Sequence, residues 1–253
     1  MPILIDSAPL FYPKENYKIN KYFDIVKYIS LLKNQALFFC RVDKLEDQKE
    51  GTTPLSNFYS RVIWYQHMRD TDFWEIPMPD DKIIDIVEKQ FEREKHFRDF
   101  FCVNCWNKED VESVALWKIY SDNGKGIMIK STVNSLNSSL INSLEKIYLS
   151  EVKYLNYEIE SILDGDVYFP IIHKQTAYSY ENEVRLIHEV ATEGVSYDWS
   201  KHETQNGVFI KVDLNELIDE IIIGPHAPSY FLKLIEDITE KYGIKKPISN
   251  SKL

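Results

Sequence analysis

The chain has 253 residues, of which 44% are hydrophobic and 13% aromatic, and its 40 acidic and 30 basic side chains give a formal charge of -10. Each buried aromatic takes a large apolar area out of water, so there is ample material for a packed core, while only eight glycines argue against long flexible linkers. The acidic balance speaks against a dedicated DNA- or RNA-binding module, which would need Lys and Arg to neutralise phosphates, but it leaves room for a local basic cleft.

The opening Met1, Pro2, Ile3, Leu4, Ile5, Asp6 is too short and lacks the basic flank of a signal peptide. Nowhere does the sequence approach the roughly 20 apolar residues of a membrane helix. A cytoplasmic protein without a membrane partner is therefore expected, with the oligomeric state left open. Residues 17–22 read as extended. Asp24 can cap the helix that follows, where Ile25, Ile29 and Leu32 recur at helical spacing. Residues 36–40 form an apolar strand and 41–51 a charged loop. An aromatic helical stretch covers about 57–68, Pro77 and Pro79 punctuate a surface loop, and a long helix over 81–100 sets Ile83, Ile84, Val87 and Phe91 on one face.

From Cys102 the texture changes to a strand, a short helix over 114–120, a turn at 122–124 and a strand over 126–130, after which Ser131 or Thr132 caps another helix. Strands follow over 146–154, 184–190, 208–212 and 220–223, with a turn at 225–228 and an amphipathic helix over 230–242. Helices and strands do not alternate strictly. The expected class is α+β, a single domain over 1–253 with a mixed or antiparallel sheet and flanking helices, rather than a doubly wound parallel sheet. Cys102 and Cys105 have CxxC spacing, but no second Cys or His pair follows at zinc-ribbon spacing. With Cys40 they read as small buried hydrophobes.

Four polar groups are candidates for chemistry. Arg41, Asp43, Asp47 and Glu50 with Gly51 follow a strand directly, where a rigid scaffold presents functional side chains; a solvated loop would have the same composition. Glu112 and Ser113 precede Trp117 and Tyr120, two rings three residues apart on one helical face that suit either a core or a stacking platform. His173 and Lys174 form a third, weaker pair. In the fourth group, an extended backbone would project Glu181, Glu183 and Arg185 to one face, a costly arrangement unless the charges are paired or hold a ligand. No Gly-rich phosphate loop, HExxH pair or EF-hand loop is present, so a metal-free site is expected.

In this order the groups resemble the domain-of-unknown-function family 2971 of bacteria and archaea over nearly the whole chain. The resemblance is carried by Lys21, Tyr22, Phe23 and Asp24, by Leu37, Phe38 and Phe39, and by Asp43 and Asp47 with Glu50 and Gly51. It continues through Asn104, Cys105 and Trp106, Glu112 and Ser113 with Trp117 and Tyr120, Gly126 and Ile127, Lys174, Glu181 with Glu183 and Arg185, and the tail Ser251, Lys252, Leu253. Lys21 stands where many relatives have Arg, and Gln48 and Lys49 replace the Pro-Phe often found before Glu50, which reshapes that loop. The layout is also similar to the ADP-ribosyltransferase fold, in which a strand bearing a polar or basic residue is followed by a helix and a second strand, and a late strand carries a catalytic glutamate. Here Lys21 and Tyr22, the helix 24–32, the strand 37–40 and Glu183 take those places, and Glu181, Asn182, Glu183 has the ExE spacing of arginine-modifying members.

The resemblance implies an NAD-consuming transferase with a small-molecule nucleotide as substrate, a protein or nucleic acid as acceptor, and a role as an effector in phage defence or a toxin-like system. It implies Glu183, Glu181 and Lys174 as catalytic residues and Lys21, Tyr22, Arg41, Trp117, Tyr120 and Arg185 as NAD-binding ones. Lys21 or Arg41 would hold the pyrophosphate, and Trp117 or Tyr120 would stack on nicotinamide. Two other readings remain open. One is a nuclease in which Asp47, Glu112, Glu181 or Glu183 bind magnesium and Lys174 assists; the other is a non-catalytic ligand- or partner-binding module. Convergence of Lys21, Glu112, Lys174 and Glu183 on one pocket would favour an enzyme.

Overall fold

In the computed structural model, which describes residues 10–71, 78–121, 124–190, 198–201 and 204–253, strand β1 (Lys18–Asp24) turns directly into helix α1 (Ile25–Asn34). Asp24 makes the turn, its carboxylate accepting from Lys27 N at 2.8 Å and so satisfying an otherwise orphaned amide of the first turn. Strand β2 (Ala36–Arg41) leads into the charged loop, whose first residues 42–44 form a 3-10 turn. Helices α2 (Leu55–Asp70) and α3 (Asp80–Phe97) form a hairpin, followed by β3 (Phe101–Asn107), α4 (Val114–Tyr120), β4 (Gly126–Thr132) and α5 (Val133–Ser139). Thr132 caps α5 by accepting from Ser135 N. Then come β5 (Ile147–Glu151), β6 (Lys153–Leu155), α6 (Phe169–Ile172), β7 (His173–Gln175) and β8 (Glu183–Glu189). The chain ends with β9 (Gly207–Lys211), α7 (Leu214–Leu217), β10 (Glu220–Ile223), α8 (Phe231–Lys241) and β11 (Ile248–Asn250). Met1 to Asp6, Pro77 and two residues of the expected turn, Asp122 and Asn123, lie outside the described residues.

The architecture is the expected mixed α+β one. A nine-stranded sheet runs β11-β10-β4-β1-β3-β2-β9, with β8 on β3 and β5 on β8. Its ladders are antiparallel except β10 with β11. The pairing of β1 is lopsided. It follows β4 along its whole length but shares one registered pair with β3, Asn20 with Asn107. Strand β3 instead pairs along its length with β8. The sheet is therefore split between β1 and β3.

Alternation along β3 and β8 sorts side chains between two cores. Cys102, Trp106, Val184 and Leu186 face the main core with Leu32, Leu136, Phe231 and Ile235, whereas Phe101, Val103 and Ile187 face a second one with Val42, Tyr168, Ile171 and Ile172. Residues three apart on a strand point to opposite faces, so Cys102 and Cys105 do not form a redox pair; both are free thiols. Burial pushes the Cys102 thiol up to about 12. Among the described residues no helix is long and apolar enough to cross a membrane.

Gly51 closes the charged loop at a φ of 72°, where a Cβ would stand 2.4 Å from Val42 Cγ1. Gly51→Ala is expected to cost about 2–5 kcal/mol, since a left-handed L-residue costs about 1–2 and an overpacked contact about 1–3. The shift of its urea unfolding midpoint measures this.

Candidate active site

Asn182 ends the 3-10 turn 176–181 in the left-handed region, with a φ of 37°, and β8 begins one residue later. Its side chain donates to Lys108 O at 2.7 Å and Glu109 Oε1 at 2.8 Å, pinning this bend to the end of β3. Asparagine tolerates such a backbone. The bend corrects one expectation: Glu181 does not share a strand face with Glu183 and Arg185 but reaches the same place from the preceding turn.

Lys174, on β7, collects the carboxylates. Its Nζ lies 2.6 Å from Glu181, 3.3 Å from Glu50 and 3.8 Å from Glu183. Arg185 is fully buried behind them. It donates to Glu183 through Nε at 2.7 Å and Nη2 at 3.0 Å, to Ile171 O through Nη1 at 2.7 Å, and it also pairs with Glu50. Three carboxylates thus meet two cations, leaving one net negative charge. Such a buried network is poor evidence for stability, because desolvation offsets much of the attraction; its position on a cleft is the more informative fact.

Burial works against charge on Glu183, but Arg185 and then Lys174 outweigh it and hold the carboxyl down at about 2. Burial likewise opposes the Lys174 ammonium and is more than reversed by Glu183 and Glu50, so its pKa rises. Glu181 moves the other way, raised by burial and by Glu183 despite Lys174. At neutral pH Glu183 is a fixed anion beside a carboxylate of higher proton affinity.

The network forms one wall of a cleft of about 540 Å³, within the usual small-molecule range of about 300–1,000 Å³. Lys21 and Tyr22 from β1, Tyr120 from α4, Asp47 and Glu50 from the charged loop, and Tyr178 and Tyr180 from the 176–181 turn also line it. Lys21 stands in the split of the sheet, where its Nζ donates to Cys105 O at 2.6 Å and lies 5.6 Å from the Trp106 ring. Burial lowers its pKa to about 8, with Cys105 and Glu183 pulling upward. Six buried side-chain polar atoms among the described residues have no hydrogen-bond partner, and three of them, Asn20 Oδ1, Asp47 Oδ2 and Asn107 Oδ1, belong to residues lining this cleft. Buried polar atoms left without a protein partner call for an explanation, and three of the six belong to residues of this one cleft.

Not all the sequence candidates meet there. Lys21, Tyr22, Tyr120, Lys174, Glu181 and Glu183 do. Arg185 acts from behind the wall, its donors committed to Glu50, Glu183 and Ile171. Arg41 is engaged elsewhere, bound to Asp43 by two 2.9 Å hydrogen bonds and stacked 4.4 Å from the Trp199 ring centre. Trp117 is buried, edge-on to Tyr22, and its indole donates to Glu112 at 2.9 Å. It is packed under α4 rather than offered as a stacking face. Glu112 also accepts from Ser251 Oγ and Lys252 N, tying the tail to α4. Among the described residues no three His, Cys, Asp or Glu side chains are grouped to hold a metal ion. Sequence reasoning missed Asn20, Asn107, Tyr178 and Tyr180; the signal for the first two was an asparagine inside each of two strands, where that residue is depleted.

No protein-family model matches the chain, and no curated protein does. The resemblance to family 2971 thus stays a reading of motifs. Among solved structures, the chain is similar to Thermus sp. 2.9 DarT in complex with NAD+, with a TM-score of 0.40 and 10% identity over 95% of this chain and 98% of that one. It is similar as well to the same DarT in complex with ADP-ribosylated ssDNA, with a TM-score of 0.39 and 10% identity over 96% of each chain. Likeness at this level carries no weight for the chemistry, which rests on the geometry of the cleft.

Proposed function

We propose that the cleft binds NAD and transfers its ADP-ribose to a protein or nucleic-acid acceptor. The observation that carries this reading is Glu183, an ionised carboxylate held by two cations in the wall of a nucleotide-sized cleft, with Lys21 in the sheet split of the same cleft. In the reaction the bond between nicotinamide and ribose C1′ breaks and its electron pair leaves with nicotinamide. Positive charge builds on the ribose, where a preorganised anion stabilises it most. The acceptor then gives an electron pair to C1′ and its proton to a base. Glu181, whose proton affinity is raised, suits that role, and Lys174 positions both carboxylates. Tyr120 supplies a ring for nicotinamide, and Lys21 supplies a cation for the pyrophosphate.

A setting in phage defence or a toxin-like system rests on the sequence resemblance. The magnesium nuclease gains no support, since Glu50, Glu181 and Glu183 are already turned onto Lys174 and Arg185, and Glu112 is turned onto the tail. Release of nicotinamide from NAD, followed by NMR with candidate acceptors, tests the proposal; binding without release would leave a nucleotide-binding module.

The depressed Lys21 pKa makes binding depend on pH. An unfolded lysine titrates near 10.4, so between about 8 and 10.4 the unfolded chain holds the extra proton and this group adds stability as pH rises. NAD binding runs the opposite way, because the pyrophosphate prefers the charged amine. Affinity is expected to weaken by up to about tenfold per pH unit above about 8, as for loss of a single proton. Lys21→Arg is expected to flatten the profile. Calorimetric titration from pH 7 to 9.5 measures both; a flat wild-type curve would remove Lys21 as the phosphate cation.

A further inference from the structure

Asn20 and Asn107 face each other as the one registered pair between β1 and β3, so their side chains share a face of the sheet. Both are more than nine-tenths buried and both line the cleft. Their amides have one possible orientation. Asn20 Nδ2 donates to Glu109 O at 2.7 Å, and Asn107 Nδ2 donates to Glu181 O at 2.6 Å. Since those partners are carbonyl oxygens, the nitrogens must face them. The two Oδ1 atoms are left without a partner among the described residues. Neither oxygen can satisfy the other, because both only accept. The same amide of Asn107 holds the backbone of Glu181, so occupancy of this subsite is coupled to the carboxylate wall.

We propose that Asn20 and Asn107 form a paired acceptor subsite that reads the NH2 group of a bound nucleotide. This rests on the nucleotide site proposed above and deepens it. Two acceptor oxygens, from residues paired across β1 and β3, match in number the two hydrogens of a primary amide or amine, whereas a hydroxyl would satisfy one and leave the other buried and unpaired. A site built to accept from a donor rejects a ligand that lacks it, because its own groups then stay unsatisfied. NAD carries two such groups, the nicotinamide carboxamide and the adenine amine.

Calorimetric binding of three dinucleotides separates them: NAD, its acetylpyridine analogue without the carboxamide NH2, and its hypoxanthine analogue without the adenine amine. One analogue is expected to bind wild type about ten- to a hundredfold more weakly than NAD, the loss of two buried hydrogen bonds. In Asn20→Ala and Asn107→Ala that discrimination is expected to fall, since each variant keeps only one of the two acceptors. A purely structural defect would weaken all three dinucleotides alike and leave their ratios unchanged. Equal wild-type affinity for all three, a measurement that needs no variant, overturns the subsite while leaving the NAD reading intact; so does discrimination retained undiminished in both alanine variants. If NAD does not bind, the NAD reading fails by itself. Adenosine against inosine and nicotinamide against acetylpyridine then decide the subsite, and indifference within both pairs overturns it.

Discussion

Glu183→Gln is expected to slow nicotinamide release by about a hundred- to a thousandfold, the usual loss when one preorganised electrostatic group is removed from a reacting centre. NAD affinity is expected to change little, because the ground-state dinucleotide carries no charge on the ribose for the carboxylate to meet. The split between a large loss in kcat and a small one in KM is the diagnostic readout. Glutamine keeps the shape and one acceptor for Arg185 but loses the charge that faces it at 2.7 Å. Some stability goes with it. Since Glu183 is held down at about 2 in the fold, its contribution is present above the carboxylate range of an unfolded chain and is lost as pH falls toward 2. Rates therefore belong well below the variant's own melting temperature. Full activity in this variant would remove Glu183 from the chemistry.

Arg185→Met should be the most destabilising single change in the site, by about 3–5 kcal/mol, because it leaves Glu50 and Glu183 buried with only Lys174 to neutralise them. Its stability should also become more sensitive to mild acid. In the wild type, Glu183 stays ionised over this range and is protonated only as pH falls toward 2. Without the guanidinium the crowded carboxylates prefer to be protonated in the fold, so the variant should gain stability as pH is lowered from 7 toward 5. Adding Glu50→Gln should recover part of the loss, since a neutral partner removes one uncompensated charge, and the double-mutant cycle should show clear coupling. Urea midpoints at both pH values measure these effects. Additive losses, or equal losses at both pH values, would mean that packing rather than charge dominates.

Where the fold depends on local chemistry, the sequence was readable. The Asp24 and Thr132 caps, the helix Val114–Tyr120 and the strand Glu183–Glu189 follow from nearest-neighbour signals: a side-chain acceptor before a helical repeat, or an apolar run bounded by polar residues. What was not readable depended on pairing across the chain. β11 and β7 are three-residue strands defined only by their partners β10 and β6. The left-handed bend at Asn182 is set by its bonds to Lys108 and Glu109, more than 70 residues away.

The candidate site shows the same division. Glu181, Glu183 and Lys174 could be picked out as charges near apolar runs, but nothing in their spacing says that Glu50 joins them or that Arg185 stands behind. Arg41 and Trp117 have the right chemistry for a nucleotide, yet tertiary packing commits them to Asp43 and Glu112. Asn20 and Asn107 become a pair only because β1 and β3 touch at that one register point.

A crystal structure with NAD soaked or co-crystallised tests the central claim most directly. The dinucleotide should lie in the split between β1 and β3, with its nicotinamide-side ribose within hydrogen-bonding distance of Glu183 and its pyrophosphate beside Lys21. NAD bound elsewhere on the surface, or a cleft left empty at saturating NAD, would contradict it.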